Sequence, residues 1–228
     1  MTIKAPAISA PWGGGMNHVR WLVLLDQKYF KSNNIFASAS LDDKVDFISK
    51  QVYGKNKTWN TWIHLEDQLR MRVSELMPCF HQMWDWRTRY NEYEKLLFLR
   101  FDDPQKLVDH YFHINLAMNS LTPGQLLQDI NEWQLELDKI QAENLPNVKI
   151  LVSDTVHQDI LDPDWYQELV TWFGCDNNYK HVAQIHHLYH QRRRQSALEF
   201  YDYFTSDEFH QYLELMKQFG NTPITVLE

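Results

Sequence analysis

Three consecutive glycines, Gly13-Gly14-Gly15, are followed at once by Met16-Asn17-His18-Val19-Arg20. The chain has only seven glycines, so a run of three marks a place where side chains are excluded. Glycine tolerates positive φ and lets another group approach the backbone. A glycine turn ahead of a helix aims backbone N–H groups at one point. The helix dipole makes that point attractive to an anion, most often a phosphate or sulfate. Gly13, Gly14, Gly15, Met16 and Asn17 are therefore the candidate anion-binding positions. The same residues would also make a tight turn that packs helix on sheet with no ligand. The pattern G-x-x-x-x-G-K-S/T is absent, and both readings stay open. His18 and Arg20 fall in the first turn of the helix, where the dipole opposes a cation. An anion in the turn would relieve that mismatch, and so would pairing with Asp26 or another carboxylate. His18 is the candidate acid or base, because an imidazole titrates near neutrality.

Other groups suit an anion as well. Arg100 stands at the end of an apolar run and offers a donor fork for phosphate. It has Asp102 and Asp103 beside it as alternative partners. Gln191-Arg192-Arg193-Arg194-Gln195 is the one basic run in the chain. It reads either as a solvated helix face or as a phosphate clamp in which Arg193 and Arg194 fold over the glycine turn. Phe80–Tyr93 is crowded with aromatic residues and arginine, a composition that fits base stacking and, more commonly, an interlocked structural cluster. His186, His187 and His190, with His110 and His113, have helical spacing for two metal ligands. No H-E-x-x-H occurs and no third ligand is indicated, so no metal site is expected. Nothing suggests a nucleophilic serine or cysteine.

These residues need elements to hold them. A short strand, about Lys4–Ala10, leads into the glycine turn and a helix from Met16. Leu41–Ile48 reads as a helix, with Ser40 as N-cap, Asp43 completing a near capping box, and Gly54 as the stop. Thr61–Met77 is the next helix, ended by Pro78. Lys95–Phe101 is a near-continuous apolar strand, as expected for a central parallel one. Asp103-Pro104 and Thr122-Pro123 each start a helix. Val148–Val152 is a third strand. Asp162-Pro163 opens a helix that runs to Gly174, and the segment from His187 to Gly220 is helical, with a break at 203–209. Strands separated by helical crossovers predict an α/β fold, three-layer α/β/α with a mostly parallel sheet, in a single domain over residues 1–228. Ligands then bind beyond the carboxyl ends of the strands.

Composition narrows the function. A net charge of −8 argues against bulk binding of nucleic acid. With 44% apolar residues the chain can bury a core. Its nine Trp, eleven Tyr and twelve Phe supply much of that buried area. The two cysteines, Cys79 and Cys175, give no disulfide framework and fit a reducing compartment. No run approaches the ~20 apolar residues of a membrane span. The expectation is a cytoplasmic protein without membrane association.

The order of these features resembles the PAPS-dependent sulfotransferases. The matching features are a strand, a Pro-containing glycine loop and a helix; Leu99-Arg100-Phe101-Asp102-Asp103-Pro104; and an Asp-Pro helix ending Phe173-Gly174. Arg193-Arg194-Gln195 follows, leading to Phe204-Thr205-Ser206-Asp207-Glu208-Phe209. The segment Gly14–Trp21 resembles a divergent branch of sulfotransferase-like proteins from marine phage. The resemblance implies a P-loop-like fold. It implies that Gly13–Gly15 hold the 5′-phosphosulfate of PAPS, with Arg100, Arg193 and Arg194 on the 3′-phosphate and a small-molecule or glycan acceptor. The family's loop lysine is replaced by Trp12 or Gly13, and its loop hydroxyls by Gly15, Met16 or Asn17. Arg20 would then take the place of the lost lysine in holding the cofactor. Two other classes stay in view: a glycosyltransferase using a sugar nucleotide, and a binding protein of the same fold that has lost catalysis.

Overall fold

The computed structural model describes residues 5–11, 14–26, 39–53, 76–80, 90–103, 107 and 123–200; the side chains of 90, 123–127 and 192–200 lie outside this description. The described elements are β1 (Ala7–Ser9), α1 (Met16–Leu24), α2 (Leu41–Phe47) continuing into a π-helical turn (Ile48–Val52), β2 (Cys79–Phe80) and a 3₁₀ turn (Tyr90–Glu92). They continue with β3 (Leu96–Arg100), α3 (Pro123–Glu143), β4 (Val148–Val152), a second 3₁₀ turn (Asp154–His157), α4 (Pro163–Phe173) and α5 (Tyr179–Phe200). The expected helices over 61–75 and after Pro104, the stretch 81–89, Gly54 and the break at 203–209 lie outside the described residues.

The architecture is α/β. Four parallel strands lie in the order β2-β1-β3-β4, with Ile8 opposite Cys79 and Leu97, and Phe98 opposite Ile150. The sheet is small, and its central strand β1 is only three residues long and fully buried. β2 is an edge strand that the sequence did not announce. Cys79-Phe80 is too short to show any alternation, and pairing with β1 alone makes it a strand.

The expected elements formed where local signals were strongest. Ser40 and Asp43 close a reciprocal capping box at the start of α2. Asp162 accepts from the Asp164 N–H at the start of α4, Pro163 occupies the first turn, and Gly174 ends the helix at φ 67°. The alternation of β3 divides its side chains between two clusters. Leu97 and Leu99 pack with Val19 and Leu22 of α1 and with Leu169 of α4. Leu96 and Phe98 pack with Trp133, Leu137 and Ile140 of α3. The Trp133 indole N–H also donates to the Leu99 carbonyl at 3.1 Å, which fixes α3 along β3.

The C-terminus of α1 is held by an unusual group. Lys44 is 1% exposed, and its ammonium donates to the Leu25 carbonyl at 3.1 Å. A cation at a helix C-terminus is favoured by the dipole. Burial nonetheless pulls the Lys44 pKa below its ordinary value, with Asp26 opposing that shift. No described helix is long and apolar enough to cross a membrane.

Asp162→Ala removes the cap of α4 and leaves an orphan N–H. Urea denaturation should show a loss of about 1 kcal/mol, and Asp162→Ser should recover most of it.

Candidate functional site

In a parallel sheet of this order, the connections from β1 and β3 leave in opposite directions. The crevice beyond their carboxyl ends is where ligands bind in open α/β sheets. The glycine turn follows the carboxyl end of β1 directly. The Gly14 N–H donates to the Pro11 carbonyl at 2.9 Å, closing a tight turn. A Cβ on Gly14 would lie 2.7 Å from the Ala10 Cβ, 3.0 Å from the Pro11 carbonyl oxygen and 3.1 Å from the Phe101 ring. Gly14 is therefore glycine because the strand and the end of β3 crowd it. Gly15 is the N-cap of α1 at φ 65°, a left-handed conformation that glycine adopts without strain. Its N-cap Gly15 has no side chain to cap the helix, and the first turn holds no acidic residue, unlike α2 and α4. Met16 is buried and Asn17 half-buried at the same terminus. Gly13 and Trp12 lie outside the described residues.

The end of β3 is held by β4. The Asp154 carboxylate accepts from the Asp102 and Asp103 N–H groups at 3.0 and 2.9 Å. Phe101 stacks on His157 with ring centroids 4.9 Å apart. Arg100 does not join the glycine turn. It ion-pairs with Asp102 and with Asp138 of α3, both at 3.2 Å, so it is engaged on the α3 face of the sheet. Asp102 is one of the two neighbouring carboxylates weighed for it; Asp138 was not foreseen. The side chains of Arg193 and Arg194 lie outside the described residues, although α5 itself carries them.

His18 and Arg20 are both buried, at 2% and 6% exposure. The Asp26 carboxylate accepts from the Asp176 N–H at 2.8 Å. One Arg20 guanidinium nitrogen lies 3.5 Å from the Met77 carbonyl. The guanidinium is close enough to act on two neighbours. It partly opposes the burial that raises the Cys79 thiol to about 11, and likewise for the Tyr53 phenol. His18 is fully engaged at both ring nitrogens. Nδ1 meets the Tyr53 hydroxyl at 2.7 Å and Nε2 meets His186 Nδ1 at 3.0 Å. Its ring stacks face to face on Tyr189, with centroids 3.8 Å apart and planes 5° off parallel. His186 continues to the Gln158 carbonyl at 2.7 Å, and His190 lies 3.2 Å from the Val156 carbonyl.

Tyr53, Tyr189 and Gln158 are the residues that sequence reasoning missed. The signal present was the i, i+4 spacing of His186 and His190 beside the apolar positions Val182, Ile185 and Tyr189. That spacing places both imidazoles next to the buried side of α5. Among the described residues no group of three or more His, Cys, Asp or Glu is placed to hold a metal. His187 is exposed and meets Gln191 instead, while His110 and His113 lie outside the described residues.

Comparison with known proteins adds no relative: no protein-family model, no curated protein and no solved structure matches the chain.

Two measurements check this geometry. Gly14→Ala meets three neighbours closer than ordinary contact, so it should cost about 1–3 kcal/mol of stability in urea denaturation. Cys79 gives the second, an alkaline effect. Its folded pKa lies above the unfolded value, so the folded state keeps its proton longer. That contribution is complete below pH 9.0 and is lost as pH rises through about 11. Tyr53 and Tyr166, raised mainly by burial, act in the same direction at higher pH. The denaturation midpoint should fall from pH 9 to 11, and less steeply in Cys79→Ala.

Proposed function

We propose that the protein is a sulfotransferase-like enzyme with a three-layer, P-loop-like α/β/α fold, which binds PAPS at the start of α1 and transfers its sulfuryl group to a hydroxyl or amine. The observation that carries this reading is the N-terminus of α1, which follows the carboxyl end of β1 and whose N-cap, Gly15, has no side chain to cap it. Helix starts without a side-chain cap leave N–H donors for an outside acceptor. Here Gly15 removes the Cβ that would obstruct approach. The oxygens of the 5′-phosphosulfate would accept from the amides of Gly15, Met16 and Asn17. Arg193 and Arg194 would reach the 3′-phosphate from α5. In the reaction the acceptor's oxygen or nitrogen forms a bond to sulfur as the bond from sulfur to the phosphate oxygen breaks. The adenosine bisphosphate leaves with that electron pair. Positioning and anion stabilisation supply most of the rate in such transfers. His18 takes the acceptor's proton only if Tyr53 turns away, because the Tyr53 hydroxyl otherwise occupies its Nδ1.

A second reading, a binding protein of this fold that has lost catalysis, is favoured by two contacts. The Gly14 N–H is already spent on Pro11, and Arg100 is already paired with Asp102 and Asp138.

Thermal unfolding with adenosine 3′,5′-bisphosphate separates the readings. A ligand at a hundred times its Kd stabilises by about 2.7 kcal/mol, which a melting curve resolves. Asn17→Asp adds a carboxylate to the same terminus. It should raise the melting temperature of the free protein slightly, because acids favour a helix start, and should abolish the ligand shift. No shift with millimolar bisphosphate or PAPS overturns the sulfotransferase reading. A shift with a sugar nucleotide alone would favour the glycosyltransferase.

A further inference from the structure

The buried polar chain Tyr53–His18–His186–Gln158 has no part in holding the proposed donor, and it joins four separate pieces of the fold. These are α1 through His18, the π-helical turn and its end through Tyr53, α5 through His186, and the segment after β4 through Gln158. We propose that this chain is an acid-sensitive latch: it fixes α5 on α1 while both imidazoles are neutral and releases α5 when both become protonated.

The direction of every hydrogen bond follows from one end. A backbone carbonyl only accepts, so His186 Nε2 carries the hydrogen that bonds to Gln158. In the neutral ring the other nitrogen is then an acceptor. His18 Nε2–H therefore donates to His186 Nδ1 across 3.0 Å. His18 Nδ1 is in turn an acceptor, and it receives the Tyr53 hydroxyl at 2.7 Å. Burial holds that phenol protonated well past its ordinary range, so Tyr53 remains a donor at neutral and acidic pH.

A single added proton can be accommodated. Whichever ring takes it, His18 Nδ1 becomes a donor to the Tyr53 oxygen and the Tyr53 hydroxyl hydrogen must turn elsewhere. A second proton cannot be accommodated. It sets N–H against N–H across the 3.0 Å gap, between two cations buried at 2% and 1% exposure. An unfolded or undocked chain has no such limit, since each free imidazole binds a proton near pH 6.5, an approximate value. The released state thus binds more protons than the latched one, and acid favours release.

The charged and titratable groups among the described residues around the pair are these. Arg20 on α1 is a fixed cation close enough to act on Tyr53, and it disfavours further positive charge. Tyr189 on α5 stacks on His18 without supplying a charge. His190 on α5 lies 3.6 Å from Asp159, with its ring centroid 4.5 Å from that of His186, and His181 lies 3.2 Å from Asp42 of α2. The test must leave both in place.

His186→Gln does so. A glutamine amide can accept from His18 with its oxygen and donate to Gln158 with its nitrogen, yet it takes up no proton. Urea denaturation of the full chain from pH 7.5 to 5.5 should show the wild type losing stability faster than this variant. The difference should approach one proton, about tenfold in the unfolding constant per pH unit. Imidazole nitrogen NMR of the wild type gives a second readout that needs no variant. At pH 7.5 both rings should be neutral and carry their hydrogen on Nε2. Equal pH slopes for wild type and variant overturn the proposal. So do two imidazolium rings in a folded protein at pH 5.5 with α5 still docked. If His186→Gln does not fold, the nitrogen spectra decide alone. The outcome is independent of whether PAPS binds.

Discussion

The position of β1 between β2 and β3 is the constraint from which the other features follow. All three residues pair with β3, Ile8 and Ser9 pair with β2 as well, and all three are buried, so the polar groups of this strand are kept from water. Ala7 donates its N–H to the Lys95 carbonyl, Ile8 to Pro78 and Ala10 to Phe80, and the Ser9 hydroxyl also reaches the Phe80 carbonyl. Buried backbone groups must be paired, and this strand pairs them with both neighbours. A central parallel strand also demands crossovers, and these place the start of α1 at the crevice.

That placement explains the glycines individually. Gly14 has no room for a side chain, because Ala10, Pro11 and Phe101 already fill the space. Gly15 needs a left-handed backbone to turn the chain into α1. The first requirement is steric and the second conformational, and neither by itself calls for a ligand. The ligand argument rests on the helix start they produce, whose N-cap residue has no side chain.

The histidine chain shows how a single acceptor propagates through a buried network. The Gln158 carbonyl assigns the tautomer of His186, which assigns that of His18, which assigns the rotation of the Tyr53 hydroxyl. Inside a protein such a chain is strong when every member is satisfied and costly when one is not. The same residues couple α1 to α5, so the helix whose first turn faces the crevice and the helix carrying the arginine run are held in one arrangement.

Several elements were legible because their causes lie within a few residues. Ser40 with Asp43, and Asp162-Pro163 with Gly174, specify helix ends through local hydrogen bonds and backbone angles. The apolar runs Leu96–Leu99 and Val148–Val152 specify strands through side-chain type, the first buried and the second only partly so. Spacing likewise put His18 in the first turn of a helix, while Arg20, expected there too, is the fifth residue of α1 and begins its second turn. The sequence could not tell which carboxylates Arg100 meets, that Cys79-Phe80 forms an edge strand, or that His18 bonds to a residue 168 positions away. Those outcomes depend on which faces come together once the sheet is ordered. Hydrogen-bond partners of buried polar groups are chosen by that packing and not by their neighbours along the chain.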